Sequence, residues 1–322
     1  MRIVAVDLGG TNARFAIAEL YADKRPKLSE PRKYRTADYP DLPSAWAAFA
    51  RDSGGALPKA ASIAIAGPVE GDLIRFTNSP WVIRPSTLAR ELGIDHLLLL
   101  NDFAAMAAAV GRLHDDEFVA IGGPAGPLPQ SGVITVIGPG TGLGVAQLLR
   151  RDGRNIVLPT EGGHLDFAAL DSAEEKMLQR LRQRFVRVST ERIASGPGLN
   201  NIYEAMAAAA GEAIVPLDDA DLWQAAIDGS NRLACSALDR FVMAFGAIAG
   251  DLALAHGAHA VVITGGLANR IRDRLAGPLF NERFRSKGRF AHRMADFPIR
   301  LAIYPDPGLL GAAAAFQEHH TP

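Results

Sequence analysis

Ile3-Val4-Ala5-Val6-Asp7-Leu8-Gly9-Gly10-Thr11-Asn12 decides how the chain is read. An apolar run that closes on an acid and two glycines predicts a strand entering a tight turn, and Ala13 to Glu19 predicts the strand that returns. The order recurs from Gly132: Val133 to Ile137 as a strand, Gly138-Pro139-Gly140-Thr141-Gly142-Leu143-Gly144 as a glycine turn, Val145 to Leu149 as the returning strand. In the first copy a strand around Tyr34 follows, then a helix from Asp41 to Asp52 with Pro43 in its first turn and a strand from Ala60 to Ala66. Short strands near Leu73 to Phe76 and Trp81 to Ile83, and a helix from a Ser86 cap to Leu92, lead to His96-Leu97-Leu98-Leu99-Leu100-Asn101-Asp102 and an alanine-rich helix. The leucines read as a strand buried on both faces. In the second copy come a strand from Asn155 to Leu158 and a mostly helical block from Ser172 to His256, whose last helix starts near Asn231. A strand Ala260 to Thr264 ends in Gly265-Gly266, helices run to about Phe284, and a strand Ile299 to Tyr304 precedes the helix Leu309 to Gln317, opened by Asp306-Pro307-Gly308.

Two halves in the same order predict an internal duplication: α/β, two sheet-and-helix domains facing one another across an interdomain cleft. The expected boundaries are a small domain, residues 1-112 plus 304-322, and a large one, 113-303, with Gly122 to Gly132 as the hinge candidate. The final helix is expected to pack back on the first domain.

Composition narrows the class. Over 322 residues the formal net charge is -1 and no basic run occurs, so there is no electrostatic footprint for nucleic acid. Hydrophobic residues make up 48% and charged ones 21%, enough to bury full cores. The single cysteine, Cys235, allows no intrachain disulfide and no cysteine-rich zinc site, which suits a cytoplasmic protein. Ile3 to Val6 is too short for a signal peptide, and the uncharged run Leu252 to Asn269 is broken by histidines and glycines, so no membrane partner is expected.

Asn101 and Asp102 fall where a strand ends and a helix begins, the place where open α/β sheets bind ligands. Read locally, Asp102 can equally be only the helix cap. Glycine turns let an anion approach backbone N–H groups, which form a concavity for it. Thr11 and Thr141 add hydroxyls and Arg14 a fixed charge. A strand follows each turn, so neither is a Walker A loop nor a Rossmann fingerprint, and each alone can be an ordinary hairpin turn. Asp7 can hold Mg²⁺ through water, or simply bond the N–H groups of its own turn.

Asp7-Leu8-Gly9-Gly10-Thr11-Asn12-Ala13-Arg14 resembles the first phosphate motif of the sugar kinase, Hsp70 and actin superfamily, and within it the bacterial glucokinases of the non-ROK type. Ile65-Ala66-Gly67-Pro68, Thr77-Asn78-Ser79-Pro80-Trp81, Asn101-Asp102-Phe103, Gly138 to Gly144, Glu161-Gly162-Gly163-His164-Leu165-Asp166-Phe167, Glu191 to Gly198, Thr264-Gly265-Gly266 and Pro307-Gly308-Leu309-Leu310-Gly311 fit that family in order across nearly the whole chain. Val6 and Thr160 depart from it, each standing where the family often has glycine; neither replaces a proposed donor, acceptor or charge.

The resemblance implies two ribonuclease H-like (actin/hexokinase-type) domains and transfer of the γ-phosphoryl of ATP to the 6-hydroxyl of D-glucose, as the first step of glucose catabolism. It implies Asp102 as the base, and Asn78, Asn101, Asp102, Glu161, His164 and Glu191 as glucose contacts. A hexose needs matched donors and acceptors, since an unpaired buried polar group costs roughly 1–3 kcal/mol. ATP is implied at Asp7, Gly9, Gly10, Thr11, Asn12, Arg14, Gly140, Thr141, Gly265 and Gly266, with Mg²⁺ at Asp7 and a homodimer as the assembly. Locally, Glu191 also reads as a capping-box partner of Ser189, His164 as a surface histidine, and Asn78 as a residue turning the chain before Pro80. Alternatives are a kinase of another hexose or using another phosphoryl donor, a sugar-sensing regulator, and an actin- or Hsp70-like ATPase. A ROK-type kinase is disfavoured because its cysteine-rich zinc motif is absent. A regulator needs a DNA-binding domain ahead of the phosphate loop, which starts at residue 7.

Overall fold

The computed structural model describes residues 1–22, 24–67, 69–76, 79–214 and 216–320. In chain order the strands and helices are β1 (Arg2–Leu8), β2 (Asn12–Tyr21), β3 (Lys24–Leu28), β4 (Arg32–Arg35), α1 (Leu42–Asp52), β5 (Ala60–Ile65), β6 (Ile74–Arg75), β7 (Val82–Ile83), α2 (Pro85–Leu92), β8 (His96–Asn101) and α3 (Asp102–Val110). Next come β9 (Phe118–Gly122), β10 (Gly132–Pro139), β11 (Leu143–Arg151), β12 (Arg154–Thr160), α4 (Ser172–Arg184), α5 (Gly196–Ala210), α6 (Asp219–Asp228) and α7 (Arg232–Ala255). The last are β13 (Ala260–Ile263), α8 (Gly266–Arg270), α9 (Arg272–Leu275), α10 (Pro278–Arg285), α11 (Ala291–Ala295), β14 (Ile299–Ala302) and α12 (Pro307–His320). Two compact units result: Met1–His114, Arg154–Pro159 and Tyr304–Pro322 form the first, Asp115–Gly153 and Thr160–Ile303 the second.

The duplication is visible in the sheets. One runs β3-β2-β1-β5-β8, the other β12-β11-β10-β13-β14, position for position the same order. Each opens with an antiparallel hairpin across a glycine turn, β1 on β2 and β10 on β11, and continues in parallel with later strands. The additions are β4, paired to β2, and β9, paired antiparallel to β14. β3 and β9 have no counterpart among the strands read from the sequence. β9 takes up the start of the stretch expected as a hinge. Just beyond β9, the carbonyls of Pro124 and Gly126 accept from the Arg300 guanidinium of β14, which ties that stretch to the sheet.

In the first unit alternation along β1 sends Val4, Val6 and Leu8 to one face and Ile3 and Ala5 to the other. The first face packs on α1 and α2 through Trp46, Phe49 and Leu88; the second packs on α3 and α12 through Ala105, Leu309, Ala313 and Phe316. β8 is packed on both faces as expected, Leu97 and Leu99 against one core and Leu98 and Leu100 against the other, but it ends the path of its sheet, so only Leu100 is fully buried. α2 starts at Pro85 behind Arg84, with no side-chain cap, so Ser86 is not the cap expected. The second unit's core gathers around α7, capped by Asn231, with Phe241 and Phe245 against Phe280 and Phe284 of α10. Among the described residues α7 is the helix long and apolar enough to cross a membrane, but 67% of its apolar stretch is buried in this core.

α12 crosses α3 at closest approach where Gly311 meets the chain: a Cβ on Gly311 would lie 1.7 Å from the carbonyl oxygen of Ala105. Gly311→Ala is expected to destabilise the protein by about 1–3 kcal/mol through overpacking, measured as a lower midpoint in urea unfolding.

Candidate active site

In the first unit the chemistry stands on one end of one sheet. The registers Leu8↔Ile65 and Ile65↔Asn101 put the carboxyl ends of β1, β5 and β8 side by side. Two strand spacings separate β1 from β8, about 10 Å. The turn after β1 is closed by Gly9 N–H donating to the Asn12 carbonyl at 2.9 Å, and Asp7 and Arg14 face each other across the hairpin. Arg14 Nη1 donates to Asp7 Oδ2 at 3.0 Å, while its Nε lies 3.7 Å from Asp306 Oδ1. Burial raises the pKa of Asp7; the Arg14 guanidinium opposes that rise without cancelling it. The first turn of α12 comes down beside the same carboxylate, where a Cβ on Gly308 would lie 2.8 Å from Asp7 Cγ. Asp306 and Gly308 are thus part of the site, and sequence reading assigned them no role.

At the end of β8 the two polar residues divide their work. Asn101 caps α3: its Oδ1 accepts from the N–H groups of Phe103 at 2.8 Å and Ala104 at 3.2 Å, and its Nδ2 donates to the Gly67 carbonyl at 3.1 Å. Asp102 is the first helical residue, half-buried, and its Oδ1 accepts from the Phe103 N–H at 2.9 Å. The local reading of Asp102 as the cap is corrected, since the cap is the residue before it. Asn78 lies outside the described residues.

In the second unit β10, β13 and β14 likewise end together, in the registers Ile137↔Ile263 and Ile263↔Leu301. The strands of the hairpin reach Pro139 and start again at Leu143, so the turn shrinks to Gly140, Thr141 and Gly142, the first two exposed. Gly140 N–H donates to the Gly142 carbonyl at 2.8 Å, and its own carbonyl accepts from the N–H of Gly196 at 2.7 Å. Glu191 Oε2 accepts the Leu143 N–H at 3.1 Å, so closely that a Cβ on Gly142 would sit 2.3 Å from it. Ser189 makes no side-chain cap, which removes the capping-box reading of Glu191. Glu161 and His164 are exposed, with His164 Nε2 3.9 Å from Glu161 Oε2. Their loop is fixed from beneath: Gly163 packs on the Leu143 carbonyl, 2.1 Å from where its Cβ would be, and the Thr190 hydroxyl donates to the Gly163 carbonyl at 2.7 Å. Thr190 and Glu191, neighbours in sequence, therefore tie the Glu161–His164 loop to the glycine turn. After β13 the chain turns at Gly265, φ +104°, a conformation L side chains rarely adopt, and a Cβ on Gly266 would meet nothing within 4 Å.

Two α/β sheets of one topology, each opening with a glycine turn and each carrying its polar residues at the strands' carboxyl ends, define the actin-like ATPase fold that sugar kinases share. A ROK-family glucokinase from Streptomyces griseus, solved in complex with glucose and AMPPNP, shares that fold with TM-score 0.63 at 19% identity, over 98% of this chain and 99% of that one. The crystal structure of a glucokinase from an Antarctic psychrotroph is nearer, with TM-score 0.85 at 35% identity over 98% of both chains. The glucokinase of Zymomonas mobilis subsp. mobilis is 54% identical over 321 residues, 100% of this chain and 99% of that protein, and the family model described as Glucokinase matches residues 4–319. The chain belongs to the glucokinase family, and it is a kinase, a phosphotransferase.

The raised pKa of Asp7 fixes a sign. The folded state holds the Asp7 proton more tightly than the unfolded chain, whose value is the ordinary 3.8, so this group's contribution to stability falls as pH rises from 3.8 through the raised value. Well above pH 3.8 Asp7 is carried at a net cost to folding. Asp7→Asn is therefore expected to melt no lower than wild type at pH 7 in a thermal scan, while kcat for phosphoryl transfer falls.

Proposed function

We propose that Asp102 accepts the proton of the glucose 6-hydroxyl as that oxygen takes the γ-phosphoryl of ATP, giving glucose 6-phosphate and ADP. The activity, ATP-dependent phosphorylation of glucose, is that of the family; the assignment of residues is this reading. The observation that carries it is the division of labour at the end of β8. Asn101 is the residue that caps α3, and the carboxylate of Asp102, which accepts the Phe103 N–H on Oδ1, stands in the first helical turn at the same sheet end as the turn from Gly9 to Asn12. General-base assistance of this kind contributes about 10²- to 10⁴-fold in rate.

Phosphoryl transfer is mostly a matter of holding and neutralising phosphates. The reading gives that work to the N–H groups of Gly10, Thr11 and Asn12, to Arg14 and to Thr141, with Gly9 and Gly140, whose own N–H groups close their turns, giving the turns their shape; Gly265 and Gly266 leave room for the adenosine. Glucose is assigned to Asn78, Asn101, Asp102, Glu161, His164 and Glu191. Asn101 can contribute a single further N–H of its amide, and Glu191 the oxygen that does not hold Leu143. Among the described residues no group of three or more His, Cys, Asp or Glu is gathered as a cation site, while Asp7 and Asp306 stand together beside Arg14. That donor set suits a Mg²⁺ that keeps its waters and arrives on ATP, with Asp7 reaching it through water. When bound, Mg²⁺ would neutralise charge on the phosphates. The family resemblance extends the reading to a homodimer in the cytoplasm.

Asp102→Asn is expected to lower kcat by about 10²- to 10⁴-fold while glucose, titrated by calorimetry, still binds with affinity close to wild type. Near-normal turnover in that variant would remove Asp102 from the role.

A further inference from the structure

We infer that Thr36 is the positioning residue of the first glycine turn, holding it in the shape that presents its N–H groups to the phosphates of ATP. The inference rests on the reading of residues 9–12 as a phosphate site, and it names a residue that this reading leaves out.

Thr36 is 3% exposed and begins a short 3-10 turn directly after β4. It bonds the glycine turn twice. Its Oγ1 donates to the Gly10 carbonyl at 2.7 Å, and its N–H donates to the Thr11 carbonyl at 3.0 Å. The pairing of Arg35 with Asn12, the last of the β2–β4 ladder, sets the spacing for both. A trans peptide is planar, with its C=O and N–H pointing in opposite directions. Drawing the Gly10 and Thr11 carbonyls toward Thr36 therefore turns the N–H groups of Thr11 and Asn12 the other way. Successive N–H groups turned to one side are what an anion-binding concavity requires.

Thr36 is itself anchored to the core. The Tyr39 N–H donates to the Thr36 carbonyl at 3.3 Å, and the indole N–H of Trp81, 1% exposed, donates to the Tyr39 carbonyl at 2.8 Å. Thr36 thereby holds the turn in one chosen shape. The second turn is held in the same manner, with Glu191 and Gly196 grasping Leu143 and Gly140.

The test is steady-state kinetics on the full-length protein with ATP and glucose varied in turn, for Thr36→Val, Thr36→Ser and Arg14→Ala. Thr36→Val keeps the volume and removes the hydroxyl. It is expected to raise KM for ATP about five- to thirty-fold, the loss of one hydrogen bond, with KM for glucose unchanged. Thr36→Ser keeps the hydroxyl and removes a methyl; it is expected to retain the wild-type KM for ATP even where its melting temperature drops. Equal changes in both KM values for Thr36→Val, or no change, would overturn the inference, provided Arg14→Ala raises KM for ATP. Should Arg14→Ala leave KM for ATP unchanged, the phosphate reading itself fails, and the inference with it. If Thr36→Val does not fold, Thr36→Ser decides: a raised KM for ATP in that variant overturns the inference.

Discussion

The first unit's chemistry depends on one constraint, the parallel pairing of β1, β5 and β8 in the register Leu8–Ile65–Asn101. Backbone hydrogen bonds of a parallel ladder admit no half-steps. A slip of one residue would move each side chain to the other face of the sheet. That register alone brings Asp7, the glycine turn and Asp102 to a common end, although nearly a hundred residues separate the first from the last. The alternating packing of β1 on two helical layers enforces it, since a shifted β1 would carry Val4 and Val6 into the space where α12 and α3 accept only Ala5 and Ile3.

Small residues at helix and turn contacts then set how closely the chemistry is approached. Gly308 lets the first turn of α12 reach the Asp7 carboxylate, and Gly311 lets the same helix lie against α3 immediately behind Asp102. One helix therefore sets the position of both acids. In the second unit Gly142 yields its side-chain space to Glu191, and Gly163 yields its own to the Leu143 carbonyl. The glycines of this family's motifs thus do two distinct things here. Some, such as Gly265, take up a backbone conformation that other residues avoid; others vacate the volume that a neighbour occupies.

Duplication extends past the sheets to the way the turns are secured. Each hairpin turn is gripped by a residue from a 3-10 turn elsewhere in its own unit: Thr36 for the first and Glu191 for the second. The chemistry of the grip differs. A hydroxyl and an N–H bind carbonyls in one, and a carboxylate binds an N–H in the other. Each leaves the turn with a fixed shape.

Much of this was legible in the chain itself. Period-two apolar runs, glycine pairs at strand ends and the repeated order of elements determined the α/β class, the duplication and the motif residues Asp7, Gly9, Gly10, Asn101 and Asp102, because these are signals within a few consecutive residues. β3 and β9 escaped notice: Lys24–Leu28 carries charge and proline, and Phe118–Gly122 is short, so neither shows a pattern of its own. The sequence offered Asp102 as the helix cap where the structure uses Asn101, since both are good caps and the choice depends on where β8 stops. Tertiary structure alone decided the partners: Thr36 under Gly10, 26 residues away; Glu191 on Leu143, 48 away; Gly308 against Asp7. Such contacts leave no periodic trace, because a hydrogen bond across folded space depends on where two distant segments are carried by the packing of everything between them.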